Sequence, residues 1–284
     1  MRLGRGTPSK ITVAGYEICG VSVAAVETCL WVPSLSLAFD SGRCPRGVIG
    51  MRYMAVTHGH CDHIHGLPLH LATRNLQHLP TPLYFLPAPI KDDVHDLVKA
   101  VGKLEHCRLE MDSVSLKPGG DGVEFKKGWV IRAIHTQHTV PSQGYVILQK
   151  RKKLKKEFLG TPGKELARLK KDGVEVERVI QTPEIAYTGD TKLDAIRESD
   201  LFRKARVLIT EMTFLDNACS PEDAAQFGHI HLDEIIDNSS LFCENEHVIF
   251  THFSARYSDC DIQSAFTRLP KDLREKSIAF GIGA

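Results

Sequence analysis

No apolar run in the 284-residue sequence is long enough to span a bilayer, so no membrane-embedded function is expected. The opening residues Met1-Arg2-Leu3-Gly4-Arg5-Gly6 lack the apolar stretch of a secretory signal. Eight cysteines are present (Cys19, Cys29, Cys44, Cys61, Cys107, Cys219, Cys243, Cys260), but none form a Cys-x-x-Cys pair. That absence argues against a zinc ribbon and a disulfide framework, and scattered thiols fit the cytoplasm or another reducing compartment. No convincing internal repeat is visible. A hydrophobic content of 42% and a charged content of 25% are those of an ordinary globular protein, long enough for one domain with a sizeable core.

A large net charge is also missing, since the formal value is +1. The balance is uneven along the chain. Between 150 and 171 ten basic residues face Glu157 and Glu165, a local excess of eight positive charges that leaves the remainder at −7. Such a segment either captures a polyanion or is a solvated lysine-rich connector, and charge alone does not decide between them.

Most of the chemistry is concentrated in Thr57-His58-Gly59-His60-Cys61-Asp62-His63-Ile64-His65-Gly66. Nitrogen ligands one residue apart can converge on one metal ion, while Asp62 and His63 point at a second. Tyr53-Met54-Ala55-Val56 reads as a buried strand ending where the histidines begin, which sets the loop on a rigid edge. The pattern predicts a dinuclear hydrolase. Cys61, between two ligands, is expected to point away from the ions. His70, His78, His95, His106 and His247 are read as ordinary surface or interior residues.

Short apolar runs broken by Gly and Pro predict strands at 11–18, 21–23, 28–32, 35–40, 83–86, 123–134, 144–149, 185–188, 207–210 and 248–251. Longer apolar spacing predicts helices at 66–79, 90–104, 232–242 and 259–268. Strand runs with helices between and after them suggest an α/β fold of two sheets packed face to face with helices outside. The segment 150–172 is the best candidate for an excursion from the core.

Two ions need more ligands than one loop supplies. His138 follows the strand that ends at Ile134, Asp190 ends Ala186-Tyr187-Thr188-Gly189-Asp190, and His252 ends Val248-Ile249-Phe250-Thr251-His252. Each lies where an apolar strand gives way to a turn, from which core elements present ligands. His135 is a rival for the place of His138.

These elements, with Phe39-Asp40-Ser41-Gly42-Arg43-Cys44-Pro45, Ser142-Gln143-Gly144-Tyr145, Glu211-Met212-Thr213-Phe214 and Phe253-Ser254-Ala255-Arg256-Tyr257, resemble the short-form, plant-type tRNase Z family of the metallo-β-lactamase superfamily. The resemblance implies a single metallo-β-lactamase domain over 1–284, an αββα sandwich, with a reduced basic arm inserted at about 150–175. It implies that His58, His60 and His138 bind one zinc ion and Asp62, His63 and His252 another, with Asp190 bridging. Two Zn2+ per subunit are expected, with Mn2+ feasible. Asp62, Glu211 and His229 would be the catalytic residues, Glu211 orienting His229 as the proton donor to the leaving oxygen. Many members carry His-Ser-Thr where this chain has His229-Ile230-His231, which leaves His229 preferred and His231 the alternative. His65 is given a supporting or structural place.

The activity so implied is removal of 3′ trailers from precursor tRNA, leaving a 3′-hydroxyl on the tRNA and a 5′-phosphate on the trailer. Lys152, Lys153, Lys155, Lys156, Lys170 and Lys171 would grip the RNA backbone without reading its bases. A homodimer is expected on the resemblance alone. Two other classes remain at this point: a hydrolase of small phosphodiesters or thioesters with the same ligands, and a silent RNA-processing scaffold. The scaffold would be expected to have lost ligands, and all seven positions are filled.

Overall fold

Residues 6–282 are described by the computed structural model, so the reading of the first five residues as part of no secretory signal lies outside the described residues. One seven-stranded sheet runs, in spatial order, β1 (Ser9–Val13), β2 (Tyr16–Val23), β3 (Glu27–Val32), β4 (Leu37–Phe39), β5 (Tyr53–Ala55), β6 (Leu83–Pro87) and β7 (Asp112–Leu116). Its pairings are antiparallel from β1 to β4 and parallel from β4 to β7. The second sheet also follows chain order, through β8 (Val123–Lys126), β9 (Trp129–His135), β10 (Gln143–Leu154), β11 (Glu177–Tyr187), β12 (Val207–Glu211), β13 (His247–Thr251) and β14 (Ser277–Ala279). Here too the first four strands pair antiparallel and the last four parallel.

Ten α-helices are found among the described residues: α1 (Cys61–Ile64), α2 (Leu67–Leu76), α3 (Lys91–Leu104), α4 (Gly163–Lys171), α5 (Asp194–Glu198), α6 (Asp200–Lys204), α7 (Pro221–Gln226), α8 (Leu232–Asp237), α9 (Asp259–Thr267) and α10 (Lys271–Arg274). None is long and apolar enough to cross a membrane.

The period-two alternation of strands assigns the layers. Ile185 and Tyr187 of β11, Val207 and Ile209 of β12 and Ile249 of β13 face the first sheet, where Leu30, Leu37, Phe39 and Phe85 meet them. Ala186, Leu208, Val248 and Phe250 face the other way, onto Leu232 and Ile235 of α8 and Ile262 and Ala265 of α9. Both sides of β12, of β13 and of the Ile185–Tyr187 end of β11 are therefore dry, which is why these stretches read as apolar runs. On the far side of the first sheet, Leu67 and Leu71 of α2 and Val94 and Val98 of α3 close a third cluster at helical spacing. The result is an αββα sandwich.

Several elements differ from the sequence reading. The run 11–18 is two strands joined by Ala14–Gly15, and 123–134 is likewise a hairpin, turning at Lys127–Gly128. Periodicity continues through a two-residue turn, so it cannot mark one. The strands β7 and β14 carry weak apolar signals because both close the edge of a sheet. The basic segment is the outward continuation of β10 and β11, paired as far as Leu154↔Glu177, with α4 at its tip.

Candidate metal centre and active site

In both sheets the parallel strands end at the same edge, the usual place for a site in such folds. Asp40 follows β4, His58 follows β5, Asp190 follows β11, Glu211 ends β12 and His252 follows β13. His138 lies on the connection between β9 and β10, and α1 carries Asp62 and His63.

These chain-distant residues converge. His60 Nδ1 is 3.1 Å from His58 Nε2 and 3.1 Å from His138 Nε2. His63 Nε2 is 3.3 Å from His252 Nε2, and Asp62 Oδ2 lies 3.6 and 3.5 Å from them. Asp190 Oδ2 stands between the two groups, 3.7 Å from His58 Nε2, 3.9 Å from His138 Nε2, 3.2 Å from His63 Nε2 and 3.3 Å from His252 Nε2. His58, His60, His138 and Asp190 form one set that could hold a cation, and Asp62, His63 and His252 another.

Hydrogen bonds outside the cluster assign the tautomers. The Asp40 carboxylate and the Gly228 carbonyl can only accept, so His63 and His138 donate to them through Nδ1, each at 2.9 Å. The Thr57 hydroxyl donates to Asp40 and therefore accepts from His58 Nδ1. Likewise the Thr213 hydroxyl donates to Glu211 and accepts from His252 Nδ1 at 3.0 Å. All four imidazoles consequently turn Nε2 toward one another and toward two carboxylates. That donor set fits divalent cations, and carboxylate–histidine–metal relays of this kind orient the ligands.

Electrostatics point the same way. Burial, with the neighbouring His63 charge, holds His58 well below its usual range, and burial lowers His60 and His138. Burial opposes the ionised form of Asp190, yet His252 and His63 hold its carboxyl well below the usual value. Against its own burial, His63 is pushed well up by Asp190 and Asp40. Asp190 thus stays ionised at the centre of the cluster, while His58, His60 and His138 are kept neutral.

The backbone is bent to achieve this. Asp40 (φ +57°) and His252 (φ +59°) adopt the left-handed region, at about 1–3 kcal/mol each for a non-glycine residue. Thr57 N–H holds Asp40 Oδ1 at 2.7 Å, and Ser22 Oγ accepts from His252 N–H at 3.0 Å. Gly228 has φ +76°, and a Cβ there would lie 2.5 Å from His138 Nδ1, so only glycine allows its carbonyl to meet that ring.

Beside the cluster, His229 Nδ1 is 3.0 and 3.1 Å from the two Glu211 oxygens. Glu211 is buried and also accepts from Thr191 N–H, Ile230 N–H and the Thr213 hydroxyl. Burial opposes protonation of His229, but Glu211 outweighs it and the imidazole is pushed up to about 9. The His229 ring lies 5.1 Å from that of His138 and 5.4 Å from that of His252, centroid to centroid. His231 is fully buried elsewhere. Its Nδ1 accepts from Asp233 N–H and its Nε2 donates to Asp216 O, capping α8.

His135 and His65 are exposed and belong to none of the metal-binding groups among the described residues, and Cys61 is exposed too. Sequence reasoning assigned no role to Asp40, Thr213 and Gly228, which hold the ligands. Asp40 and Thr213 stood within quoted motifs, but nothing in their type foretold these contacts.

Of the ten basic residues in 150–171, Lys150, Arg151, Lys155, Arg168 and Lys170 lie within ion-pair distance of Glu124, Glu184, Glu175, Asp172 and Glu177. Lys152, Lys153, Lys156 and Lys171 are exposed without an ion pair among the described residues.

The model of the beta-lactamase superfamily domain matches residues 43–253. The chain is 40% identical over 274 residues to tRNase Z TRZ1 of Arabidopsis thaliana, covering 95% of this chain and 97% of that protein. It belongs to the tRNase Z family of the β-lactamase superfamily. Chloroplastic tRNase Z TRZ2 of the same plant is also 40% identical, over 94% of this chain and 76% of its own. Human short-form tRNase Z shares the fold at a TM-score of 0.57, with 20% identity, 83% of this chain and 91% of that one covered. The family is metal-dependent, and this member carries the His/Asp groups for it.

Proposed function

We propose that the chain is a zinc-dependent endoribonuclease that removes 3′ trailers from precursor tRNA, leaving a 3′-hydroxyl on the tRNA and a 5′-phosphate on the trailer. The observation that carries this reading is the Glu211–His229 pair set against the seven-residue cluster, in a chain so similar to TRZ1 over almost its whole length.

His58, His60 and His138 would hold one ion and Asp62, His63 and His252 a second, with Asp190 placed to serve both. Zinc suits this nitrogen-rich set, with manganese the alternative. Ions so held supply Lewis acidity to the phosphate and a nucleophile at neutral pH. Glu211 engages His229 through Nδ1, which leaves Nε2 to give a proton to the departing 3′-oxygen. Thr213 links Glu211 to His252, so the proton donor and the ligand cluster share one scaffold. Asp62, oriented by the Ala25 N–H that donates to it at 2.9 Å, would serve as ligand and catalytic residue.

The arm would track the phosphate backbone. Lys152, Lys153, Lys156 and Lys171 contribute most, while Lys155 and Lys170 must first leave Glu175 and Glu177. On the same resemblance the enzyme is a homodimer, and its eight free cysteines suit the cytoplasm.

The test is incubation of metal-loaded protein with a 3′-extended precursor tRNA, with Asp190→Ala as control. Cutting beside the discriminator base, abolished in the variant, is expected. No cutting by fully loaded protein would sink the proposal.

A further inference from the structure

A cavity of about 790 Å3 opens beside His138, formed by the segments after β6 and β7 and by the connection between β9 and β10. Its volume lies within the range of about 300–1,000 Å3 usual for small-ligand sites. The backbone of His138 belongs to its wall while the His138 ring, itself buried, belongs to the ligand cluster, so the cavity adjoins the metal centre across one residue.

The walls are unusual for an active-site rim. Pro87, Pro89, Leu116, Pro118, Val140 and Pro141 supply apolar faces, and no carboxylate lines the space. Lys117 and His135 supply its positive and titratable groups, and neither makes a side-chain hydrogen bond or ion pair among the described residues. Proline rings fix φ and hold the faces rigid. The wall is anchored to the centre on both sides. Gln137 N–H donates to Thr191 Oγ1 and Gln137 O accepts from Lys192 N–H, beside Asp190, while Gln143 N–H donates to Thr57 O, beside His58. The wall is thus held in a fixed place relative to Asp190 and His58.

We propose that this cavity is a nucleobase subsite for the nucleotide adjoining the scissile phosphate, its base against the proline and Val140 faces and its phosphate toward Lys117. This rests on the assignment of the centre as an RNA phosphodiesterase. Apolar burial is non-directional, so these faces engage any base and read no base edge, and the subsite tolerates every sequence at that position. The nucleotide comes from the tRNA side or the trailer side of the bond, and the experiment separates the two.

Val140→Trp fills the cavity without touching a residue of the cluster. Adenosine 5′-monophosphate and inorganic phosphate are titrated, by calorimetry, into metal-loaded wild type and variant. Wild type is expected to prefer the nucleotide by about tenfold or more, the scale of burying part of one base against apolar walls, and V140W to lose that preference while keeping its phosphate affinity. His135→Ala, a truncation at an exposed position, lowers the preference in the same direction. Equal affinities in wild type, or a preference kept by both variants, overturns the subsite. No catalysis is needed for this arm, so its outcome is separate from whether precursor tRNA is cut. In the second arm, precursors abasic on the 5′ or the 3′ side of the cleavage point are compared. The side whose abasic form loses about tenfold in kcat/KM with wild type, and nothing further with V140W, supplies the base. Additive losses, or no loss on either side, overturn the proposal.

Discussion

Asp40 Oδ2 stands 2.9 Å from His63 Nδ1, with both side chains buried in full. The same carboxylate accepts from Thr57 N–H, the Thr57 hydroxyl and the Tyr187 hydroxyl, so every lone pair it turns inward is used. Asp40 is therefore the acceptor that fixes both His63 and, through Thr57, His58.

Asp40→Asn places an amide donor among these donors. Metal affinity is expected to fall about 10–100-fold, as for other groups that orient ligands. Chelator competition with metal analysis of the purified variant checks it. Wild-type affinity would show that Asp40 serves the fold alone.

His229→Ala is expected to lower kcat on precursor tRNA by about 10²–10⁴-fold, the usual share of a positioned acid, with metal content unchanged. His231→Ala should behave differently. Loss of the α8 cap costs about 0.5–2 kcal/mol of stability, while the folded fraction keeps its turnover. Reversal of these two phenotypes would exchange their roles.

Replacing Lys152, Lys153, Lys156 and Lys171 together by Ala is expected to weaken precursor binding and flatten its salt dependence. Each lost phosphate contact lowers the slope of log K against log salt by about 0.7–0.9. Lys155→Ala and Lys170→Ala, whose partners are Glu175 and Glu177, should change it less. An unchanged slope in the quadruple variant, measured at several salt concentrations, dismisses the arm as an RNA contact.

His70 is buried with Nδ1 2.8 Å from the Tyr84 hydroxyl, and burial, then the Arg74 charge, lowers its pKa to about 4. The folded value lies below the unfolded value of about 6.5, so the unfolded chain binds the extra proton between them. Stability therefore falls as pH drops from about 6.5 to 4, by up to about 3 kcal/mol, and levels off below. His70→Asn should be less stable at pH 7 yet show a shallower loss across that window. Denaturant titrations of both metal-free proteins at pH 7, 5.5 and 4.5 test this, and parallel curves would exclude His70 as the cause.

Much of the fold was legible because burial on both faces leaves a plain mark. The last residues of β11, from Ile185 to Tyr187, and the centres of β12 and β13 are buried and mostly apolar, and Asp190, Glu211 and His252 stand at or just past their ends. Turns inside a continuous alternation left no mark, so two hairpins read as single strands. The charge of the arm was legible only in part. Its excess of charge was counted along the chain, whereas Glu184 meets Arg151 from the neighbouring strand β11 and Glu124 meets Lys150 from β8, two strands away.

Covalent spacing by itself determined that His58, His60, Asp62 and His63 share one turn of chain, since residues one to five apart cannot separate far. It also determined which strand ends carry His138, Asp190 and His252. Only the tertiary structure decided which of His229 and His231 faces the cluster, that Asp40 and Thr213 set the tautomers, and that His138 borders a proline-walled cavity. These depend on strand order, on left-handed turns at Asp40 and His252, and on a glycine carbonyl at 228. Long-range contacts of that kind are settled by the packing of whole sheets, which no local pattern of residue types records.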